Sequence, residues 1–455
     1  MPQTGVFTRL AQGLSKPFVV FVERYYPDPF VFLIVLTGVA FMLAITLTDA
    51  SAGDALLAWG EGLSGLLAFM AQIALTLITA HALAHTDAVH NGLSRLAQLP
   101  KTVSACYSLV VLISCVASLL AWSFGLVAGA LIAKAVAEQA QKRGLSVHYP
   151  LLVAGAYCGL ATWHMGYSGS APLFVATPGH AMESYTGILP VTETLFSHWN
   201  LLGIVLTVGG LVIICPRLHP TSDLRPLASA LPPEPQPQKV IEEELTLAKR
   251  IDNQRALTLA FGALLILYLA NYFTREGFAL TLDIVNWSFL AFGLLLTRSP
   301  AHYVELVLNA GKTVGAVLIQ YPFYAGIMGL MAGTGLVQVM AHGFTQVATA
   351  ETLGFWAFLA GGLVNLFVPS GGGQWAVQGP AFLEAAKTLG TDPSIIVMGI
   401  AYGDQWTNLI QPFWTIPLLA IAGLRMRDIM GYCFVLFLVS GLSLGGAILY
   451  AGFFA

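Results

Sequence analysis

The chain has 455 residues, of which 56% are hydrophobic and only 9% charged, and its mean hydropathy is +0.75. That balance excludes a water-soluble domain of this size, and a net charge of -3 calls for no nucleic-acid partner. Apolar runs of about twenty residues recur along the chain, the length a helix needs to cross roughly 30 Å of hydrocarbon, and the alternation of barrel strands is missing. Unpaired backbone groups are costly in lipid, so the expected fold is an all-α polytopic protein in contact with membrane lipid.

Residues 1–28 are expected to be a cytoplasmic N-terminal segment. Arg9, Lys16 and Arg24 alternate there with Val6, Phe7, Leu10, Leu14 and Phe18, which suits a helix on the membrane surface or a solvated lead-in rather than a cleavable signal. About nine transmembrane spans follow, at 29–48, 61–84, 149–172, 198–216, 256–273, 284–297, 313–332, 394–424 and 431–453. Two more apolar stretches, 103–138 and 355–388, are interrupted midway by Trp, Ser, Pro or Gly and read as re-entrant hairpins. With the N-terminus inside, every Lys and Arg except Arg275 and Lys387 falls on the cytoplasmic side, the asymmetry expected of a bacterial inner-membrane protein.

The polar stretch 217–255, with LPPEPQPQ and IEEELTLAKR, reads as a cytoplasmic linker. It divides a first repeat, 29–216, from a linking segment, 256–283, and a second repeat, 284–455. At an offset near 246 residues AWSFGLVAG falls on VPSGGGQWA and AYCGLATWHMGYSGSAPL on AYGDQWTNLIQPFWTIPL, with Ser123 over Ser370, Gly125 over Gly372 and Gln72 over Gln320. The odd extra span makes the two repeats inverted. Inverted repeats with broken spans describe a transporter that binds its substrate near the bilayer midplane.

Four interruptions carry the chemistry: 121–125, 162–172, 369–375 and 404–412. Half-helices starting there aim free N–H groups and positive dipole ends at an anion. Ser123, Ser370 and Gln374 offer donors from the hairpin tips, and Thr162, Ser168, Ser170, Thr407, Asn408 and Gln411 from the broken spans; helix packing is the plain alternative for any single hydroxyl. Asp404, with no basic neighbour, is open to three roles: proton binding, sodium ligation or capping a half-helix. His164, in the matching break, is open to proton shuttling or to a satisfied interior position, and Asp404, His164 and Gln411 are the candidates for holding a coupling ion. None of the breaks holds Lys or Arg, so the expected substrate is a monoanion. Trp122, Trp163, Trp375, Trp406, Phe413 and Trp414 crowd the breaks and suit a slot for a short alkyl tail. The spacing of His81, His85 and His90 resembles a metal motif but lacks its glutamate, and the five cysteines read as small core residues. No metal and no cofactor is expected.

Along its whole length the chain resembles the bacterial short-chain fatty acid (acetoacetate and butyrate) transporters of the ion transporter superfamily. The segments that carry this are YPDPFVF, WGEGLSGLLAFMAQIAL, WSFGLVAGA, YSGSAPL, ATPG, QGP and AGLRMRDIMGY, and most specifically VNLFVPSGGGQW with AYGDQW. The resemblance implies uptake of short monocarboxylates, scaffold and transport domains, homodimerisation through the scaffold and an elevator-like motion. It carries Ser123, Ser168, Ser170, Asn365, Ser370, Gly371, Gly372, Gly373, Thr407 and Asn408 over as positions at hairpin tips and breaks. A Ser-Asn-Thr triplet that superfamily members use for sodium is replaced by SFG and SGG here, which leaves the coupling ion open between sodium and proton. The competing expectations are a carrier of dicarboxylates or other organic anions and, further off, a membrane-embedded acyltransferase using His164 with Asp404.

Overall fold

The computed structural model describes residues 29–455 apart from 168, 181, 231–245, 278–280, 312–313 and 370. The expected N-terminal segment 1–28, the middle of the linker, Ser168 and the tip residue Ser370 thus lie outside the described residues. All regular structure among the described residues is helical, as hydrocarbon demands of a chain with no closed barrel.

The chain opens with α1 (Pro29–Leu47), α2 (Ala52–Gly62), α3 (Leu67–Ala84) and α4 (Asp87–Leu96). Ser51 starts α2 with a reciprocal cap, its hydroxyl accepting from Asp54 N while the Asp54 carboxylate accepts from Ser51 N. Because α2 ends at Gly62 in a turn, the span expected at 61–84 begins only at Leu67. Next come α5 (Val103–Leu120), α6 (Trp122–Lys142) and α7 (Tyr149–Tyr157), which tightens into a 3₁₀ stretch, Cys158–Met165, before α8 (Ser170–Val175), α9 (Glu183–Thr186), α10 (His198–Ile214) and α11 (Leu227–Ala230). After α12 (Leu247–Asp252) follow α13 (Arg255–Glu276), α14 (Leu282–Leu296), α15 (Pro300–Gly311), α16 (Gly315–Gly333) and α17 (Leu336–Thr345). The chain closes with α18 (Leu353–Asn365), α19 (Gly371–Leu389), α20 (Pro393–Thr407), α21 (Pro412–Ala422) and α22 (Met426–Phe454).

Six of the described helices are long and apolar enough to cross a membrane: α1, α5, α6, α10 with its 3₁₀ extension, α13 and α22. Both expected midplane interruptions break the helix. α7 gives way to 3₁₀ geometry and restarts at Ser170, while α20 passes through Asn408–Ile410 and an extended Gln411 before Pro412 opens α21. Proline there has no N–H to continue the ladder and pushes its predecessor out of the helical region. The order helix, break, helix, broken helix therefore occurs twice, over 103–175 and over 353–422.

Packing sorts these helices into two groups. In one, α2 lies on α16, and α3 on α14 and α15. Gln72 Nε2 donates to Asp283 Oδ1 (2.8 Å) and Thr76 Oγ1 to Asn286 Oδ1 (2.5 Å), giving α3 and α14 polar fasteners in an apolar setting. In the other, α5, α6, α7 and the 3₁₀ stretch pack together, α18 lies on α20, and α10 lies on α22. Arg225, early in the linker, donates to Asp428 Oδ1 at 2.8 Å, and its carbonyl accepts from Tyr149 N at 2.9 Å. That ties the linker to the starts of α7 and α22.

Candidate functional site

Where the two groups meet, a cavity of about 290 Å³ is lined by Leu66, Trp122, Trp163, Ser170, Pro369, Gly371, Gly372 and Trp414. Only Leu66, in the turn between α2 and α3, comes from the first group. Three helices of eleven residues or more begin on this cavity: α6 at Trp122, α19 at Gly371, and α21, with Trp414 in its first turn. The α5–α6 break is a single residue, Ala121, held extended (φ -156°, ψ 127°). It turns the chain so that the dipole of α6 points at the cavity. The walls are aromatic. Trp122 meets Trp414 edge-on at 4.9 Å between centroids, and Trp163 lies 6.4 Å from the first and 6.2 Å from the second. No lining residue is charged.

One residue behind this wall is a buried polar network. His164 Nε2 stands 3.2 Å from Asp404 Oδ1, with both side chains almost wholly out of solvent. A Cβ at Gly371 would fall 2.5 Å from His164 Nε2 and 3.1 Å from Trp163 Cη2, so glycine lets the start of α19 rest on the imidazole. His164 N donates to Gln405 Oε1 at 2.9 Å, and the Trp163 and His164 rings lie 3.5 Å apart. Asn365 is the hub on the other side. Its amide nitrogen faces Asp404 O (2.8 Å), Thr407 Oγ1 (2.9 Å) and Asn408 Oδ1 (2.6 Å), and its carbonyl accepts from Gln411 Nε2. Asn408 Nδ2 reaches Asp404 Oδ1 at 3.4 Å, and Tyr157 OH donates to Asn408 O at 2.5 Å. These bonds knit the two broken helices and the end of α18 into one unit.

Of the residues expected at the site, Trp122, Ser170, Gly371 and Gly372 line the cavity, and Asn365, Thr407, Asn408, Gln411, Asp404 and His164 form the network behind it. The others are placed elsewhere. Ser123 lines a separate, very small void against Ile73, Thr76 and Leu77 of α3. Gly125 serves close packing, since a Cβ there would meet Ser118 Oγ at 1.9 Å. Thr162 bonds back to Cys115 O and Gly159 O, Gln374 donates to Gly361 O, and Gly373 sits half-buried in the first turn of α19. Three of the six expected slot aromatics are also elsewhere. Trp375 packs with Ala171, Val175 and Phe382, Trp406 stacks on Phe437 and donates to its carbonyl, and Phe413 packs on Tyr321 and Tyr324. Leu66, Pro369, Tyr157 and Gln405 join the site without having been anticipated. Tyr157 had a signal in its repeat partner Tyr402, whereas Leu66 had only the turn signal of Ser64 and Gly65 before it.

The sequence profile of the family described as "Short chain fatty acid transporter" matches residues 10–451 of this chain. The chain belongs to that family. It is 41% identical over 430 residues to a protein of Escherichia coli (strain K12) named "Putative short-chain fatty acid transporter", covering 94% of this chain and 97% of that one. A protein of the same name from Haemophilus influenzae (strain ATCC 51907 / DSM 11121 / KW20 / Rd) is 39% identical over 431 residues, covering 92% and 95%. A looser likeness in three dimensions, TM-score 0.44 at 16% identity over 94% of this chain and 99% of the other, is to the crystal structure of the Alcanivorax borkumensis YdaH transporter. Family membership and the six membrane-length helices together make this a multi-pass membrane transporter.

Proposed function

We propose that the protein carries short monocarboxylates such as butyrate and acetoacetate across the bacterial inner membrane, and that the Trp-walled cavity is where they bind. The observation that carries this is the cavity's make-up: three helix starts converge on a space with three tryptophan walls and no charged lining residue. Helix starts stabilise one carboxylate through N–H groups and dipoles without a fixed cation. The tryptophans take the alkyl tail, each buried methylene contributing about 0.8 kcal/mol. At about 290 Å³ the space is at the small end for ligand sites. A dicarboxylate would bury its second charge against indole with no partner.

The two packing groups correspond, in this proposal, to a scaffold (α1–α3, α13–α16) and a transport unit (α5–α8, α10, α18–α22), with re-entrant tips at 121 and 366–370. Leu66 is the scaffold's contribution to the wall, so an elevator-like slide of the unit would uncover the cavity. Dimerisation through the scaffold is part of the same proposal. An acyl-transfer role for His164 and Asp404 is less well supported: among the described residues no hydroxyl or thiol bonds to His164 Nδ1, where a nucleophile would have to stand. Counterflow of labelled butyrate in vesicles holding only the purified protein tests the proposal. Trans-stimulated uptake above protein-free vesicles supports it, and none overturns it.

A further inference from the structure

We infer that the His164–Asp404 pair is the coupling site for a proton, so that one proton crosses with each monocarboxylate and the cycle moves no net charge. The inference rests on the cavity being the anion site. His164 is fully buried and Asp404 nearly so, 3.2 Å apart. Gly371 belongs both to the cavity lining and to the surface on which the imidazole rests. A bound carboxylate would therefore sit one residue from the pair.

Charge balance then decides which state admits it. With a neutral imidazole and an ionised Asp404 the pair carries one negative charge, and a second carboxylate brought alongside, out of water, is opposed by like-charge repulsion at low dielectric. One added proton makes the pair neutral, whether it resides on nitrogen or on oxygen, and that proton belongs to the pair rather than to either residue. The loaded unit then carries the anion's single negative charge, and the empty, deprotonated unit carries Asp404's. Both crossings move the same charge.

Among the described residues no other carboxylate or base lies against the cavity lining in this way. Of the elements packed on the two broken helices, α5 carries Cys106, Tyr107 and Cys115, the first broken helix Tyr149, Tyr157 and Cys158, α20 Tyr402, and α22 Tyr432, Cys433 and Tyr450, none of which is a Lys, Arg, Asp or Glu. Lys134, Glu138 and Lys142 lie three or more turns beyond the start of α6, Glu384 and Lys387 likewise on α19, while His198, Arg427 and Asp428 belong to the first turns of α10 and α22. Only part of the oxygen set that sodium would need is engaged, since Asp404 Oδ2, Asn365 Oδ1 and Gln411 Oε1 are buried with no hydrogen-bond partner among the described residues, so the sodium gradient is a necessary arm of the test. Asp404 O, Thr407 Oγ1 and Asn408 Oδ1 surround the amide nitrogen of Asn365, and Asp404 Oδ1 faces His164 and Asn408.

The test uses the purified full chain in vesicles containing a pH-sensitive dye at neutral pH, with protein-free vesicles subtracted because the free acid also carries a proton as it permeates. Above that baseline, one proton should enter per labelled butyrate. Accumulation should follow an imposed pH gradient, ignore a sodium gradient, and change less than twofold under a potassium diffusion potential. In Asp404→Asn the ratio of pH-driven accumulation to the variant's own counterflow should fall at least tenfold, and His164→Gln should lose the same coupling. Sodium-driven accumulation by the wild type, or pH-driven accumulation that survives in Asp404→Asn, overturns the inference. The wild-type ion dependence decides the matter even if neither variant folds. Absence of wild-type counterflow is a different failure, since it removes the transport reading on which the inference stands.

Discussion

Replacing Gly371 with alanine isolates the contact that joins the cavity to the buried network. The added methyl would lie 2.5 Å from His164 Nε2, 2.6 Å from His164 Cε1 and 3.1 Å from Trp163 Cη2. None of these is the free end of a flexible chain: His164 is fully buried and its backbone is held by Gln405. Overpacking of this kind costs about 1–3 kcal/mol. Part of that will appear as a displaced start of α19 or a turned imidazole, so the apparent butyrate affinity should fall by more than about threefold and by at most about 150-fold, the value if the full ~3 kcal/mol reached the site. Gly372→Ala is the control. It also lines the cavity, but its methyl would find only Ser170 Cβ at 4.0 Å, so its affinity should stay within about threefold of wild type. Inhibition of labelled uptake by unlabelled butyrate, at matched vesicle protein content, measures both. If Gly371→Ala behaves like Gly372→Ala, α19 does not rest on His164 in the binding state and the reasoning fails.

Trp414→Ala should weaken butyrate binding by about tenfold, roughly 1.4 kcal/mol, by removing a wall of the slot. Trp406→Phe, which loses only the bond to Phe437 O, should cost about 1 kcal/mol of stability and leave affinity within about twofold; thermal unfolding in detergent and uptake inhibition check the pair. Asn408→Ala deprives Asn365 of an acceptor and Asp404 of a donor, so both stability and uptake should suffer, with affinity down at least about tenfold. Normal uptake at normal expression in that variant would place the network outside the transport cycle.

Helix content, the two broken spans and the sides of the cavity were legible because hydrocarbon makes apolar run length and polar interruption unusually informative. Proline at 412 and the glycines from 371 to 373 announced their breaks directly. Which way each side chain turned from a break was not legible. Trp122 and Trp406 occupy comparable positions beside an interruption, yet one walls the cavity and the other stacks on Phe437, a choice set by a partner on α22 distant in sequence. Ser123 likewise shares a tip with Trp122 but turns towards α3. Leu66 follows Ser64 and Gly65, which signal a turn, but that it reaches the cavity depends on how two helix groups meet. Asp404 and His164 stood out singly as buried ionisable residues; that they touch follows from the packing of one broken helix against the other, which no local pattern encodes.

Competition against labelled butyrate in proteoliposomes tests the central claim most directly, because it probes the chemistry of the cavity rather than its effect on folding. A carboxylate held by helix starts with its tail between tryptophans predicts that two added methylenes, about 1.6 kcal/mol, let butyrate compete roughly 15-fold better than acetate. Succinate, with a second charge and no cation to meet it, should compete hardly at all. Succinate inhibiting as well as butyrate would contradict the monocarboxylate site and put a dicarboxylate carrier in its place.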